Sequence, residues 1–337
     1  MRRLRATIVA AVALAAAAVP AAAAHAATLA NWDRSDQKAV VRAGVMGEAA
    51  GGGFAGDKPI SAADTATALA AVAAKLGVAP VAAPASTPSV TTFDRLLVDQ
   101  LGLADLAAAV QDEARRAGLA PPSRFGTEVV ARQLGLRFNH PAADDRLELY
   151  PGDAITRAEA AYSLARAISF SDWQVGYARE VLGQFKLPLY TAAQKRVLHL
   201  AVSKIGMPYV WGGESDAASS RYGFQAHGGY DCSGFVWRVF KLSGNPAGRR
   251  IGGRTAAQMA GEIPKSQRID FDHIQPADIL FFGKARLHSK ATEASVVHTG
   301  IAMSGQFMIN SSDQGVFVAP LFEDWRRGEF SWARRVL

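Results

Sequence analysis

The sequence predicts an α+β C-terminal domain, in which helices pack on an antiparallel sheet, after a separate and mainly helical N-terminal domain. Apolar side chains recur at helical spacing in residues 194–205 and again after Cys232. Short apolar runs bounded by Gly, Asp and Ser are typical of strands, and they follow at residues 277–282, 295–303, 306–311, 315–321 and 330–337. A helix packed on such a sheet is an α+β arrangement.

A diverged internal repeat occupies residues 28–185. Its two units, at about residues 30–77 and 121–169, each have the pattern of a helix, a turn rich in Gly and Asp, and a second helix. The second helix of each unit starts with an N-cap hydroxyl and has an acidic residue three positions later, Ser61 and Asp64 in the first unit and Thr156 and Glu159 in the second. This spacing predicts a capping box at both helices.

Residues 1–27 have the pattern of a secretory signal peptide. A basic start is followed by an apolar run over residues 8–19 and by small residues that suit cleavage. The run is shorter than the about 18 to 20 apolar residues that a membrane span needs, and no later segment reaches that length. We therefore expect an exported protein that is not an integral membrane protein. An uncleaved membrane anchor is the alternative.

The chain is basic, with 37 Lys and Arg against 30 Asp and Glu. The excess lies in residues 190–337. Basic residues are not interleaved with aromatic ones in the manner of RNA-binding proteins, so the sequence predicts no nucleic-acid partner. An anionic polymer is the expected partner of such a charge, and a solvated surface without a partner is the alternative.

Cys232 is the only cysteine of the chain and lies between Asp231 and Ser233 at the start of a predicted helix. A lone thiol cannot form an internal disulfide, and an exported protein is not protected by a reducing cytosol. Polar neighbours are typical of reactive cysteines, whereas a buried cysteine that acts as a small hydrophobic residue is the structural alternative. We predict that Cys232 is a nucleophile.

His298 is the predicted base for this cysteine, because strand alternation directs it to one face of a rigid strand. Asn310, at the end of the next strand, can orient the imidazole as in Cys-His-Asn triads. The other candidate bases are His199, His227, His273 and His288. No paired-histidine spacing and no phosphate-binding Gly-rich loop occurs, so the sequence predicts no metal and no cofactor.

Five separated motifs in residues 190–337 resemble those of the NlpC-type cell-wall cysteine peptidases in identity and order. They are PYVWGG at 208–213, YDCSGFV at 230–236, RT at 254–255, PADILFF at 276–282 and HTGI at 298–301. The resemblance implies a papain-like fold and a hydrolase of peptidoglycan stem peptides, acting most often between D-glutamate and the diamino acid. It also implies that the third catalytic residue lies twelve positions after His298, at Asn310.

By the same resemblance, Tyr209 lines the site beside the thiol, and Asp231 with Ser233 binds a substrate amine. Helix capping is the alternative for Asp231 and Ser233. Because Cys232 lies at a helix start near His298, we expect a thiolate paired with a protonated imidazole at neutral pH. Main-chain N–H groups at that helix start are the expected oxyanion donors.

The N-terminal repeat resembles the S-layer homology module. Residues 150–159 (YPGDAITRAE) match its turn and capping sequence, whereas the first copy has Ala62 and Asp64 in place of the arginine and glutamate. The resemblance implies attachment to a secondary polysaccharide of the cell wall. Two units are visible where the family usually has three, and residues 78–118 interrupt them. The alternative is that Thr156 and Glu159 only cap a helix.

Taken together, these features predict a secreted, cell-wall associated cysteine peptidase that acts on peptidoglycan stem peptides. Two other classes stay open. One is a different enzyme on the same fold, either an amidase that cuts between muramic acid and L-alanine or an acyl or peptidyl transferase. The other is a non-catalytic wall-binding protein, which the combination of Cys232, His298 and Asn310 disfavours.

Overall fold

The structure is a computed structural model and describes residues 32–49, 51–220, 223–225 and 227–337. The predicted signal peptide lies outside the described residues. Among the helices of the described ranges, none is both long enough and apolar enough to cross a membrane.

The first half of the chain is helical, as the sequence predicts. Its helices are α1 (Arg34–Arg42), α2 (Ala62–Leu76), α3 (Val90–Gln100), α4 (Ala104–Arg116), α5 (Phe125–Gln133), α6 (Arg157–Ser169) and α7 (Asp172–Gly183), with a 3₁₀ turn at Ala142–Leu147. The stretch that interrupts the repeat contains two helices, α3 and α4, because the chain turns at Gly102 with a positive φ of 69°, which glycine adopts without strain.

The second half combines helices with a sheet. Its helices are α8 (Ala192–Ser203), α9 (Cys232–Trp237, continued by a π-turn over Arg238–Leu242), α10 (Ala256–Gly261) and α11 (Asp324–Glu329). Four two-residue strands come first, β1 (Glu214–Ser215), β2 (Ser219–Ser220), β3 (Gly223–Phe224) and β4 (Gly229–Tyr230). The main sheet consists of β5 (Ile279–Phe282), β6 (His298–Ala302), β7 (Phe307–Ser312), β8 (Gly315–Pro320) and β9 (Phe330–Arg334).

The main sheet is antiparallel throughout, in the order β8-β7-β6-β5-β9. Strand alternation gives it two apolar faces. Phe281, Ile301 and Ile309 join the large core that includes α9, whereas Leu280 and Met308 join a smaller cluster on the opposite face. The five predicted strands and the helix that starts at Cys232 are therefore confirmed as a mixed helix and sheet fold.

The helical half and the sheet half share one continuous core. The ring of Phe185 lies 6.3 Å from that of Phe125 in α5 and 5.1 Å from that of Phe307 in β7. The side chain of Arg124 donates hydrogen bonds to the carbonyl of Ile205, two residues after α8. The N-terminal half is thus docked against the sheet half through apolar and polar contacts.

The predicted N-caps are present at both repeat helices, but the capping boxes are not. The Ser61 hydroxyl accepts from the N–H of Asp64, and the Thr156 hydroxyl accepts from that of Glu159. The two carboxylates bind cations instead of completing the boxes. Asp64 accepts from Arg157 at 2.9 Å, and Glu159 binds His140 and Arg137. The prediction missed these contacts because the partners are distant in sequence.

A third turn-and-cap unit, absent from the sequence prediction, starts α3. The Ser89 hydroxyl accepts from the N–H of Thr92, and Ser89 pairs with Ala154 in an antiparallel bridge, as Pro59 pairs with Thr156. The starts of α2, α3 and α6 therefore meet at one place. The third unit lacks the Gly-Asp turn on which the repeat was recognised.

Arg157 ties the first repeat unit to the second. Its side chain is 4% exposed and donates to the carboxylate of Asp64 and to the carbonyls of Phe54 and Gly47. Its guanidinium also lies 5.1 Å from the ring centroid of Phe54. Arg157 is thus a structural link between segments about a hundred residues apart.

Replacement of Arg157 by alanine should lower the free energy of unfolding by about 3 kcal/mol, because it removes the donor of two partly buried hydrogen bonds to carbonyls and a partly buried ion pair. Arg115→Ala is the matched control. Arg115 pairs with Asp112 on the exposed face of α4, so its loss should cost less than about 1 kcal/mol. Denaturant unfolding of both variants measures the difference, and equal small losses would contradict the structural role of Arg157.

Candidate active site

Cys232 is the first residue of α9, which starts directly after the short strand β4. The side chain of Asp231 caps this helix by accepting from the N–H of Gly234, and it also accepts from the Ser233 hydroxyl at 3.0 Å. Arg254 donates to Asp231 at 3.2 Å, to Ser233 at 2.8 Å and to Glu214 at 2.9 Å. These contacts favour the capping alternative for Asp231 and Ser233, whose binding of a substrate amine stays a prediction.

His298 lies in β6 and Asn310 in the neighbouring strand β7. In the register of these strands Asn310 pairs with Gly300, two residues after His298. The imidazole Nε2 lies 2.9 Å from the amide Oδ1 of Asn310. The amide nitrogen of Asn310 donates to the carbonyl of Phe317 at 3.2 Å. This second bond fixes which way the amide points, so Oδ1 faces the ring and the ring proton belongs on Nε2. Nδ1 is left with a free lone pair.

The predicted nucleophile is carried to the strand of the predicted base because α9 packs on β6. The thiol lies beside the backbone N–H of Thr299, the residue after His298, and this donor together with the N–H of Ser233 partly lowers the pKa of Cys232. The structure thus brings Cys232 to the strand that carries the predicted base and next to the strand that carries Asn310.

Burial governs the protonation of both groups. Desolvation, with a smaller effect of the Asp231 charge, raises the pKa of Cys232 to about 12, and desolvation lowers the pKa of His298 to about 4. Burial therefore favours the neutral form of the Cys232 thiol and the neutral form of the His298 imidazole. Both shifts run against the predicted ion pair at neutral pH, because the sequence does not show how much protein covers the two groups.

Tyr209 lies within electrostatic reach of the Cys232 thiol, and its place in a substrate site stays a prediction. Burial raises the pKa of its phenol, and Cys232, Asp231 and Asp145 raise it further. The neighbouring Trp211 is 73% exposed. The loop that carries both aromatic residues thus borders the predicted nucleophile.

The N-terminal half contributes a wall next to this loop, which the sequence analysis did not foresee. The carboxylate of Asp145 accepts from the N–H of Trp211 at 2.9 Å. The hydroxyl of Tyr150 accepts from the N–H of Gly228, and its ring lies 4.2 Å from that of His227. No local pattern marks these residues, since their partners are more than sixty positions away.

The other candidate bases have different environments. His199 binds the carbonyl of Leu119, the His227 ring lies against that of Tyr150, His273 binds Asp270, and His288 is exposed. The structure therefore leaves His298 as the histidine placed with Asn310 on the strands next to α9.

A cavity of about 450 Å³ opens on the imidazole side of the site. His298, Asn310 and the ring of Phe317 line it from the sheet, and Trp325 and Arg326 line it from α11. The sequence analysis assigned no role to these α11 residues.

Residues 206–335 match the model of the NlpC/P60 family. These residues are an NlpC/P60 domain. The domain contains all three predicted catalytic residues. The match covers the C-terminal part of the chain, and S-layer homology is not among the findings for the N-terminal half.

Two relatives carry the same name. A gamma-D-glutamyl-L-lysine dipeptidyl-peptidase of Bacillus subtilis is 30% identical over 115 residues, which are 33% of this chain and 29% of that protein. A protein of that name from Bacillus cereus is 28% identical over 149 residues, 44% of this chain and 38% of that protein. The chain thus spans well under half the length of these relatives.

Solved structures of NlpC/P60 proteins also match part of the chain. The NlpC/P60 domain of the peptidoglycan hydrolase SagA is 28% identical, with a TM-score of 0.30 over 42% of this chain and 97% of that one. RipD from Mycobacterium tuberculosis, described as a non-catalytic NlpC/P60 domain protein, is 19% identical, with a TM-score of 0.31 over 44% of this chain and 100% of that one.

Proposed function

We propose that this protein is a secreted, cell-wall associated cysteine peptidase that hydrolyses peptidoglycan stem peptides at the bond between D-glutamate and the diamino acid. The observation that carries the proposal is the placement of Cys232 at the start of α9, against the strand of His298, whose ring is held by Asn310. The names of the two Bacillus relatives support the choice of bond.

In the proposed mechanism, His298 acts first as a general base. Nδ1 takes the proton of the Cys232 thiol as Sγ attacks the amide carbonyl, and main-chain N–H groups at the start of α9 stabilise the oxyanion. The C–N bond then breaks, and Nδ1–H gives its proton to the leaving amine. Water, deprotonated by His298, hydrolyses the thioester and releases a carboxylate and the free thiol. Asn310 keeps the ring proton on Nε2 throughout.

Digestion of purified peptidoglycan with residues 28–337, followed by mass spectrometry of the new termini, tests this function. We expect a free amine on the diamino acid. Products with a free lactyl carboxylate and an L-alanine amine would replace the proposal by an amidase. Products joined to an added amine would indicate a transferase, and wall binding without any release would indicate a non-catalytic protein.

A second candidate function, attachment to an anionic or secondary polysaccharide of the wall, belongs to the N-terminal half. It is favoured by a groove of about 530 Å³ between α1 and the turn of the first repeat unit. Arg34, Lys38 and Arg42 lie along one exposed face of α1 and line this groove together with Phe54. Three cations beside an aromatic ring suit an acidic sugar polymer.

The wall-binding prediction uses the full chain with Cys232→Ala, so that walls are not digested. Arg34→Gln, Lys38→Gln and Arg42→Gln together should abolish co-sedimentation with native walls. The control removes the same charge at exposed residues elsewhere, with Lys75→Gln, Arg95→Gln and Arg115→Gln, and should bind normally. Binding that persists in the first triple variant, or after extraction of anionic polymers from the walls, would exclude this role for the groove.

A further inference from the structure

The side chain of Arg326 is buried yet makes no hydrogen bond and no ion pair within the described part of the chain. It lies in α11, its side chain is 9% exposed, and its Nε is enclosed without an acceptor. Its guanidinium lies 4.3 Å from the ring centroid of Trp325. Arginine stays charged at any pH that the protein meets. A buried charge without a partner is costly, so its retention in a cavity points to a ligand.

The other charged residues that line this cavity have partners or are solvated. Arg132 forms a buried ion pair with Glu128 at 2.9 Å. Glu323 accepts from the Tyr177 hydroxyl at 2.6 Å and from the indole N–H of Trp325 at 3.0 Å. The remaining two, Asp313 and Glu329, are exposed to water. Arg326 therefore has no direct partner in the cavity, and Glu323, Glu329 and Asp313 act on it only at longer range.

The cavity lies on the side of the site where the proposed reaction places the leaving group. His298 and Asn310 line the cavity, whereas Cys232 does not. In the proposed reaction the imidazole gives its proton to the leaving amine, so the residue on the amine side of the scissile bond lies on the imidazole side of the thiol. A group carried by that residue can thus enter the cavity that holds Arg326.

We propose that Arg326 binds a carboxylate of the leaving residue and so makes the enzyme select amine-side residues that carry one. This assignment rests on the proposed peptidase function. A guanidinium binds a carboxylate through charge-assisted, often bidentate hydrogen bonds. The carboxylate has two sources, the main chain of the leaving residue or the end of its side chain, as in a diaminopimelate.

Three synthetic stem peptides distinguish the two sources. All begin with L-alanyl-γ-D-glutamyl, so the glutamyl carboxylate is common to them. The leaving residue is lysine amide, which has no carboxylate, lysine, which has the main-chain carboxylate, or the α-amide of meso-diaminopimelate, which has the side-chain carboxylate. We expect the full chain to cleave one of the two carboxylate-bearing peptides with a kcat/KM about 10- to 100-fold above that of the lysine amide.

Arg326→Gln should remove this preference, and Arg326→Lys should retain part of it through the remaining charge. Arg327→Gln is the matched control, because Arg327 contacts the ring of Phe271 and the carboxylate of Asp272, and it should keep the preference. Circular dichroism and thermal unfolding check that the variants fold. If Arg326→Gln fails to fold, the preference of the wild type and the behaviour of Arg326→Lys still decide.

Equal kcat/KM values for all three peptides in the wild type, or an unchanged preference in Arg326→Gln, would overturn the assignment and leave the peptidase function standing. A wild-type protein that cleaves none of the three peptides would instead refute the peptidase function, and the assignment with it.

Discussion

Replacement of Cys232 by alanine is expected to lower the turnover of peptidoglycan about 10⁶-fold, and His298→Ala should lower it to a similar extent. The nucleophile and the base act as one unit, so loss of either removes nearly all the chemistry that they provide together; a comparable triad shows losses of this size. Asn310→Ala should cost less, roughly 10⁴-fold, because Asn310 orients the imidazole and does not itself transfer a proton. Release of new amine termini from purified peptidoglycan measures all three.

The control for this series is His288→Ala, which removes an exposed histidine of the same domain and should leave turnover unchanged. Thermal unfolding of each variant separates loss of chemistry from loss of fold. A His298→Ala protein that retains substantial turnover would show that another residue is the base, and His227, in the loop before β4, would be the next candidate to replace. Turnover that survives in Cys232→Ala would exclude the cysteine mechanism altogether.

The sequence predicted the elements of this site well because the relevant signals are local. Cys232 stands at the junction between a polar loop and an apolar helix, and His298 and Asn310 lie in apolar runs whose alternation is characteristic of strands. Once β6 and β7 pair as neighbours, Asn310 comes to lie opposite Gly300, two residues from the histidine. A short turn between the two strands leaves little freedom in this register.

Features that depend on distant parts of the chain could not be predicted in this way. The link from Arg157 to Asp64 joins residues 93 positions apart, and the contact of Asp145 with the N–H of Trp211 joins residues 66 positions apart. The unpaired state of Arg326 depends on what the folded chain places around it. Each of these features is set by tertiary packing, which cannot be inferred from apolar periodicity or from capping residues.

The protonation states of Cys232 and His298 also depend on distant parts of the chain. Position at a helix start favours a thiolate, and this local effect was the basis of the predicted ion pair. Desolvation of a thiol in a closed site acts in the opposite direction and is larger here, since it is the main cause that raises the pKa of Cys232. A substrate that enters the site replaces part of this environment, so the proton transfer from Cys232 to His298 is expected to occur in the complex.

Alkylation of Cys232 by iodoacetamide, without substrate, is therefore expected to be slow at pH 7 and to rise about tenfold per pH unit, or about 100-fold between pH 7 and 9. Only the thiolate reacts, and a pKa of about 12 lies far above this range. Because the thiol is the only one in the chain, the label reports on Cys232 alone. In denaturant the same cysteine should titrate near the free value of about 8.5.

The sign of the linked effect on stability follows from the same pKa values. The raised pKa of Cys232 stabilises the fold below about pH 8.5, and this contribution is lost as the pH rises toward 12. The lowered pKa of His298 stabilises the fold above about pH 6.5, and this contribution is lost as the pH falls toward 4.

If the thiol and the imidazole are both neutral, His298→Ala should leave the pH profile of Cys232 alkylation nearly unchanged. A rate that is flat between pH 5 and 8 in the wild type, and that falls in His298→Ala, would instead establish a thiolate–imidazolium pair in the free enzyme.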